Sequence, residues 1–377
     1  VRIPSAPWAT VRTVGLLAVA WGTVAVFAAS GGAWLADPRA SVGTVVLFLW
    51  LLTVVSWSAF GVVREADRLA ELLGEPLGTL VLTVSVIVIE VALIAAVMIG
   101  ARDVPALGRD TMFALLMIVL NGVVGLALLL GGLRHHEQDY NLQGAVAYLA
   151  VIIPLAVFAL VLPNFTRSTP GPTLSTVQGV SFALFTTLLY GVFLGIQTVR
   201  HRGFFVEPRR PGAVLPAAEV DAHPAAPGDV ARHAVVLLVT MLPIVLLAKQ
   251  LAKLVDHGIS VLGAPSAVGG VLIALIVLAP ESVSALRAAV DNQLQRAVNL
   301  CLGAALSTIG LTVPAVLGIG LVTGQRVVLG VEPTSMVLLA VTLVVSMLTF
   351  SGSPTTVLAG AVHLVLFFVY VVLLFSP

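Results

Sequence analysis

The 377-residue chain is 59% hydrophobic and only 10% charged, with a mean hydropathy of +1.10 and a net charge of +1. Soluble domains carry about 25% charged residues, so this composition describes an integral membrane protein and excludes a soluble-domain reading. The one cysteine, Cys301, falls in an apolar run, which excludes a disulfide framework and a thiolate metal cluster.

Apolar stretches of about 20 residues mark spanning helices. They predict eleven, at 13–34, 41–63, 77–100, 111–132, 145–163, 176–198, 233–254, 266–287, 298–323, 335–350 and 354–376. Arg2 and Arg12 ahead of GLLAVAWGTVAVFAAS resemble a signal peptide. The apolar stretch is long for one, so the segment is read as a retained helix. Most connections are short. The exception, 199–232, is rich in Pro, Ala and charge and reads as a flexible linker. It leaves an extra first helix in 1–40, five helices in 41–198 and five in 233–377.

Connections on the N-terminal side hold twelve Arg: Arg2, Arg12, Arg64, Arg68, Arg134, Arg200, Arg202, Arg209, Arg210, Arg232, Arg287 and Arg296. The other side holds seven Arg or Lys: Arg39, Arg102, Arg109, Arg167, Lys249, Lys253 and Arg326. The bias puts the N-terminus and the linker in the cytoplasm and the C-terminus outside.

Two lone carboxylates break the apolar pattern. Glu90 lies in LGTLVLTVSVIVIEVALIAAVMIG and Glu281 in VGGVLIALIVLAPESVSAL. A carboxylate at bilayer depth costs roughly 2.5–3.5 kcal/mol on the insertion scale, so it marks a functional site by default. Placing Glu90 on Glu281, an offset of 191 residues, brings Gly78 onto Gly269 and helices two to six onto helices seven to eleven. Units of five helices enter the membrane from opposite sides. The expected architecture is therefore an all-α membrane protein of 1+5+5 helices with two inverted repeats, a recurring plan of secondary transporters. The two glutamates are expected to contribute to one ion site.

Other polar residues support that reading. Thr79 and Thr83 lie 11 and seven residues before Glu90 and share its helix face to within about 20°. Asn121 follows in the next helix, and Ser307, Thr308 and Thr312 in the corresponding helix of the second half. Pro280 removes a backbone donor beside Glu281 and should kink or break that helix. Carboxylate oxygens suit Ca²⁺, Na⁺ or H⁺ better than soft metals. The run RHHEQD at 134–139 reads as a solvated cytoplasmic loop in preference to a pH-sensing or cation-binding cluster, and His363 as a packed neutral imidazole.

These residues resemble the cation/proton exchanger branch of the Ca²⁺/cation antiporter superfamily, and within it the bacterial ChaA-type Ca²⁺(Na⁺,K⁺)/H⁺ antiporters. The segments that carry the resemblance are GEPLGTLVLTVSVIVIEVALIAAVM, LLLGGLRHHEQDYNL, APESVSALRAAVDNQLQRAVNL and AVHLVLFFVYVVLLF. The resemblance implies that Glu90 and Glu281 bind the cation and take up protons in exchange, with Asn121 matching an asparagine of the family. It implies a multi-pass protein of a bacterial inner membrane, with lipids, inorganic cations and protons as partners, no cofactor and no nucleic acid. A homo-oligomer is left open. The chain departs from the broader Gly-Asn-x-x-Glu pattern of Ca²⁺/H⁺ exchangers. Val86-Ile87 and Val277-Leu278 replace Gly-Asn, and Ser282 stands where His is frequent. Fewer amide ligands weaken a strict Ca²⁺ assignment and leave Na⁺ and K⁺ open.

A cation or proton channel using the same glutamates is the alternative. An intramembrane enzyme is disfavoured: His136-Glu137 is followed by Gln138-Asp139-Tyr140, so the HExxH zinc motif lacks its second His.

Overall fold

The computed structural model describes residues 7–36, 41–74, 77–100, 105–207, 227–352 and 354–376. Arg2, Arg39, Arg102, Arg209, Arg210 and the middle of the 199–232 connection lie outside them. Eleven apolar helices are found among the described residues. They are α1 (Pro7–Trp34), α2 (Val42–Leu73), α3 (Leu77–Gly100), α4 (Leu107–His135), α5 (Leu142–Asn164) and α6 (Thr176–Arg200), followed by α7 (Pro227–Leu262), α8 (Ala267–Val290), α9 (Leu294–Thr323), α10 (Pro333–Thr349) and α11 (Val357–Phe375). Each overlaps one predicted span, and α1, α2 and α7 extend beyond theirs. Pro280 does not break α8, which runs on through it.

The helices gather into two compact units, one of Val1–Val104 with His223–Ala264, the other of Pro105–Ala222 with Pro265–Pro377. In the first, α2 is the spine, with α1, α3 and α7 packed on it. Hydropathy ends this helix near residue 63, yet it runs ten residues further. The extension is amphipathic: Glu65, Ala66 and Leu69 are buried while Arg64 and Asp67 are exposed, which is one face of a 3.6-residue period. Glu65 accepts from Arg68 at 2.9 Å and pairs with His233 Nδ1 of α7 at 2.9 Å. Gly74 then stops the helix at φ 63°, its N–H on the Ala70 carbonyl.

In the second unit α4 is the axis. Every residue from Thr111 to Gly125 is buried, as expected of a helix apolar on all sides. Helices α8 and α11 pack along it, and α9 packs on α8. The α4–α11 crossing is close because Gly125 faces Gly360: a methyl group on Gly360 would lie 2.8 Å from the Gly125 carbonyl oxygen. On α6, Val177, Leu184, Phe185, Leu188 and Val192 are exposed, an outward apolar face that lipid satisfies and water does not.

In the 134–139 run Arg134, His136, Glu137 and Asp139 are exposed, as expected of a solvated loop, while Gln138 is buried and His135 partly so. His135 Nε2 meets the Val290 carbonyl at 2.8 Å, and Gln138 donates to the Ala289 carbonyl at 2.8 Å and to Asn292 Oδ1 at 3.1 Å. Tyr140 donates to the Gly352 carbonyl, and burial pushes its hydroxyl pKa up to about 12, so it stays a donor at every physiological pH. The connection therefore ties down the C-terminal end of α8, the helix that carries Glu281. Hydropathy could not show this, because the partners are carbonyls freed at a helix end.

Candidate ion-binding site

Glu90 belongs to the first unit and Glu281 to the second, and each has its own setting. Glu90 lies midway along α3 and is fully buried. Thr83, two turns before it, is half-buried, and the side chain of Thr79 is outside the described ones. Ile87, where the broader family pattern has Asn, is buried.

Glu281 lies midway along α8 and is half-buried. It opens onto a cavity of about 10 Å³ walled by Val119 and Val123 of α4, Leu278 and Ser282 of α8, and Leu300, Cys301 and Ala304 of α9. A space of about 10–15 Å³ holds one water molecule, so it fits one water or one bare monovalent cation. The oxygen-bearing side chains on its wall are Glu281 and Ser282. Leu278, the second of the two replaced asparagines, forms part of that wall. Pro280 has no N–H to offer the Ile276 carbonyl one turn before it, and Ser284 donates to the Pro280 carbonyl at 3.0 Å.

The helices facing this cavity are not uniform. In α4, Met117–Val123 forms a wide π turn, and in α9, Thr308–Thr312 forms another. Both turns begin 191 residues apart, the offset that superposes Glu90 on Glu281. Such turns have weaker backbone bonding than an α-helix and concentrate at functional sites. Thr308 is buried in the second turn, and Ser307, also buried, donates back to the Ala304 carbonyl at 3.2 Å. Thr312, which the offset places on Asn121, is fully buried.

Asn121 is fully buried within the first wide turn and is directed at α10 and α11. Its amide donates to Thr342 Oγ1 at 2.8 Å, and its oxygen meets His363 Nδ1 at 3.2 Å. His363 Nε2 in turn meets Thr349 Oγ1 at 3.0 Å. This chain is what the sequence reading missed. The available signal was Thr342, Ser346 and Thr349, spaced along one face of α10, which is otherwise apolar after its first turn.

A larger cavity of about 160 Å³ lies at the start of α4, α8 and α10. It is lined by two carboxylates, the half-buried Asp110, which pairs with Arg109 at 2.8 Å, and the exposed Glu332. Among the described residues no three His, Cys, Asp or Glu side chains are grouped to hold a metal.

Comparison with known proteins gives the family. A model described as sodium/calcium exchanger protein matches residues 43–199 and again 232–376. The Sinorhizobium fredii protein y4hA is 41% identical over 89% of this chain and 90% of its own length. The Escherichia coli sodium-potassium/proton antiporter ChaA is 39% identical over 88% of this chain and 93% of its own. Native YfkE has the same fold, with a TM-score of 0.73 at 15% identity over 96% of this chain and all of its own. This chain is a member of the sodium/calcium exchanger family.

Proposed function

We propose that the chain is a secondary active antiporter that exchanges a cytoplasmic cation for external protons, with Glu90 and Glu281 as the groups both ions compete for. The single observation that carries this is a carboxylate, Glu281, at the middle of a membrane helix and on a cavity of one-ion size. A buried charge is tolerated only when compensated. A proton does this by neutralising the carboxylate, a cation by pairing with it. If the empty ionised site is too costly to occlude, only loaded states change sides, and transport is coupled exchange. The charge bias of the connections supports a cytoplasmic N-terminus and 199–232 segment, and in that orientation an inward proton gradient expels the cation.

The wall of the Glu281 cavity bears on cation choice. Ca²⁺ takes about six to eight oxygen ligands, and here two side chains supply oxygen among apolar neighbours. This favours Na⁺ or K⁺, in keeping with the activity named for the Escherichia coli relative. Converting Leu278 to Asn adds an amide oxygen at the wall. Leu278→Asn together with Ile87→Asn should shift preference toward Ca²⁺, read as the ratio of half-saturating Ca²⁺ to Na⁺; an unchanged ratio would separate these positions from selectivity.

Everted vesicles with a pH dye, challenged in turn with Ca²⁺, Na⁺ and K⁺, test the reading. Because proton and cation compete, apparent cation affinity should fall as pH drops, with a slope approaching the protons exchanged per cation. Affinity independent of pH between about 6 and 9 would defeat the competition, since carboxylates that exchange protons in the physiological range must respond there.

A further inference from the structure

The chain Thr342–Asn121–His363–Thr349 lies inside the second unit, and none of its members lines the Glu281 cavity. It is nevertheless anchored in the same wide turn. Met117–Val123 supplies Val119 and Val123 to the cavity wall on one side and Asn121 to α10 and α11 on the other. We infer that His363 is a positioning residue for the Glu281 cavity: through Asn121 it holds open the wide turn whose valines form the cavity wall.

The bond directions follow from the donor inventory. The Asn121 amide nitrogen is spent as a donor on Thr342 and, at 3.6 Å, on the Met117 sulfur. Its oxygen is therefore the acceptor facing His363, and Nδ1 carries the hydrogen. In the neutral imidazole Nε2 then accepts from the Thr349 hydroxyl. All four residues that set this geometry, Asn121, Thr342, His363 and Thr349, come from three different helices, and the first three are fully buried. A wide turn gives up α-helical bonds and persists where side chains hold it. Here Asn121 is pinned on both ends of its amide, and Gly122 beside it leaves room for Phe367 of α11, within 3.2 Å of where a methyl would sit. Releasing Asn121 lets the turn tighten. Residues within it then rotate, and Val119 and Val123 leave their places on the cavity wall. The effect should fall on cation affinity rather than on the capacity to switch sides.

This inference rests on the antiporter reading for its transport readout, and a second readout does not. Cys301 is the sole cysteine of the chain and lines the same cavity. A buried thiol reacts slowly, so its alkylation rate reports whether the cavity wall is closed. His363→Leu removes both hydrogen bonds. His363→Asn keeps a donor near the Asn121 oxygen. In reconstituted full-length protein, His363→Leu should raise the half-saturating Na⁺ or K⁺ concentration about tenfold, the size of one lost buried hydrogen bond, with maximal rate changed by less than about twofold. In detergent it should speed N-ethylmaleimide labelling of Cys301, also by about tenfold. His363→Asn should restore most of both. Thr342→Val, which removes the other hydrogen bond that pins Asn121, should give the same two changes and replaces His363→Leu if that variant does not yield monodisperse protein. A fall in maximal rate at unchanged half-saturation, with labelling as in the wild type, would overturn the inference. If the wild type shows no exchange, the antiporter reading fails and the labelling rates alone decide the role of His363.

Discussion

Glu281→Gln and Glu90→Gln should each reduce cation/proton exchange to the level of empty vesicles while the protein still folds. Glutamine keeps the shape of the side chain and removes the ionisable group. An exchanger needs that group twice in each cycle, once to hold the cation and once to carry the proton. Neither replacement should harm stability, because a neutral amide costs less to bury than a carboxylate. Glu281 stands on the cavity beside Ser282 and Cys301, and Glu90 is fully buried in α3. Each variant should therefore elute from a sizing column as the wild type does and show equal expression in the membrane. Wild-type exchange by either variant at equal protein would assign that glutamate a purely structural role.

Gly360→Val should show the opposite pattern, loss of fold. The added Cβ would meet the Gly125 carbonyl oxygen and, closer still, the backbone nitrogen of Leu129. These are main-chain atoms of α4, so no side-chain rotation relieves the clash. Forcing α11 away from α4 costs on the order of 3 kcal/mol or more. It also separates His363 from Asn121, which bridge the same two helices. The melting temperature should fall by roughly 10 °C, with much of the protein aggregated on extraction. Gly191→Ala and Gly318→Ala are the matched controls. Neither position has an atom within 4 Å of the added methyl, and an alanine inside a helix is favoured over glycine by about 0.5–1 kcal/mol. Thermal denaturation in one detergent compares all three. A melting temperature for Gly360→Val within a few degrees of the wild type would mean that the α4–α11 contact is not tight.

The helices were legible because a bilayer imposes a one-dimensional signal. Runs such as 77–100 and 266–287 are long and predominantly apolar, and α3 and α8 occupy them almost residue for residue. The signal ends where lipid ends. It stops α2 at residue 63, whereas the amphipathic stretch to Leu73 packs through Glu65 and His233. The two glutamates were equally plain, since a lone carboxylate in an apolar run has no local explanation. Asn121 was visible as a buried amide, but its partners Thr342 and His363 lie 221 and 242 residues away in sequence. No local pattern connects residues so distant. The wide turns were hidden for a different reason. Met117–Val123 and Thr308–Thr312 contain no proline, and their opening depends on what packs around them. The charged run 134–139 was legible as a loop, and its charged residues Arg134, Glu137 and Asp139 are exposed, but that Gln138 and the following Tyr140 turn inward onto main-chain carbonyls was not, because those partners are distant in sequence.

The central claim is coupled exchange through competition for carboxylates, and a gradient experiment tests it most directly. Purified protein is reconstituted into liposomes loaded with Na⁺ or K⁺ and a pH dye, with no initial pH difference and with the membrane potential clamped. Dilution into cation-free buffer should drive protons inward against the gradient they build, acidifying the lumen. The acidification should reverse on adding external cation and be absent in Glu281→Gln. Dissipation of the cation gradient without proton movement in the opposite direction would show an uncoupled pathway, and would contradict the account.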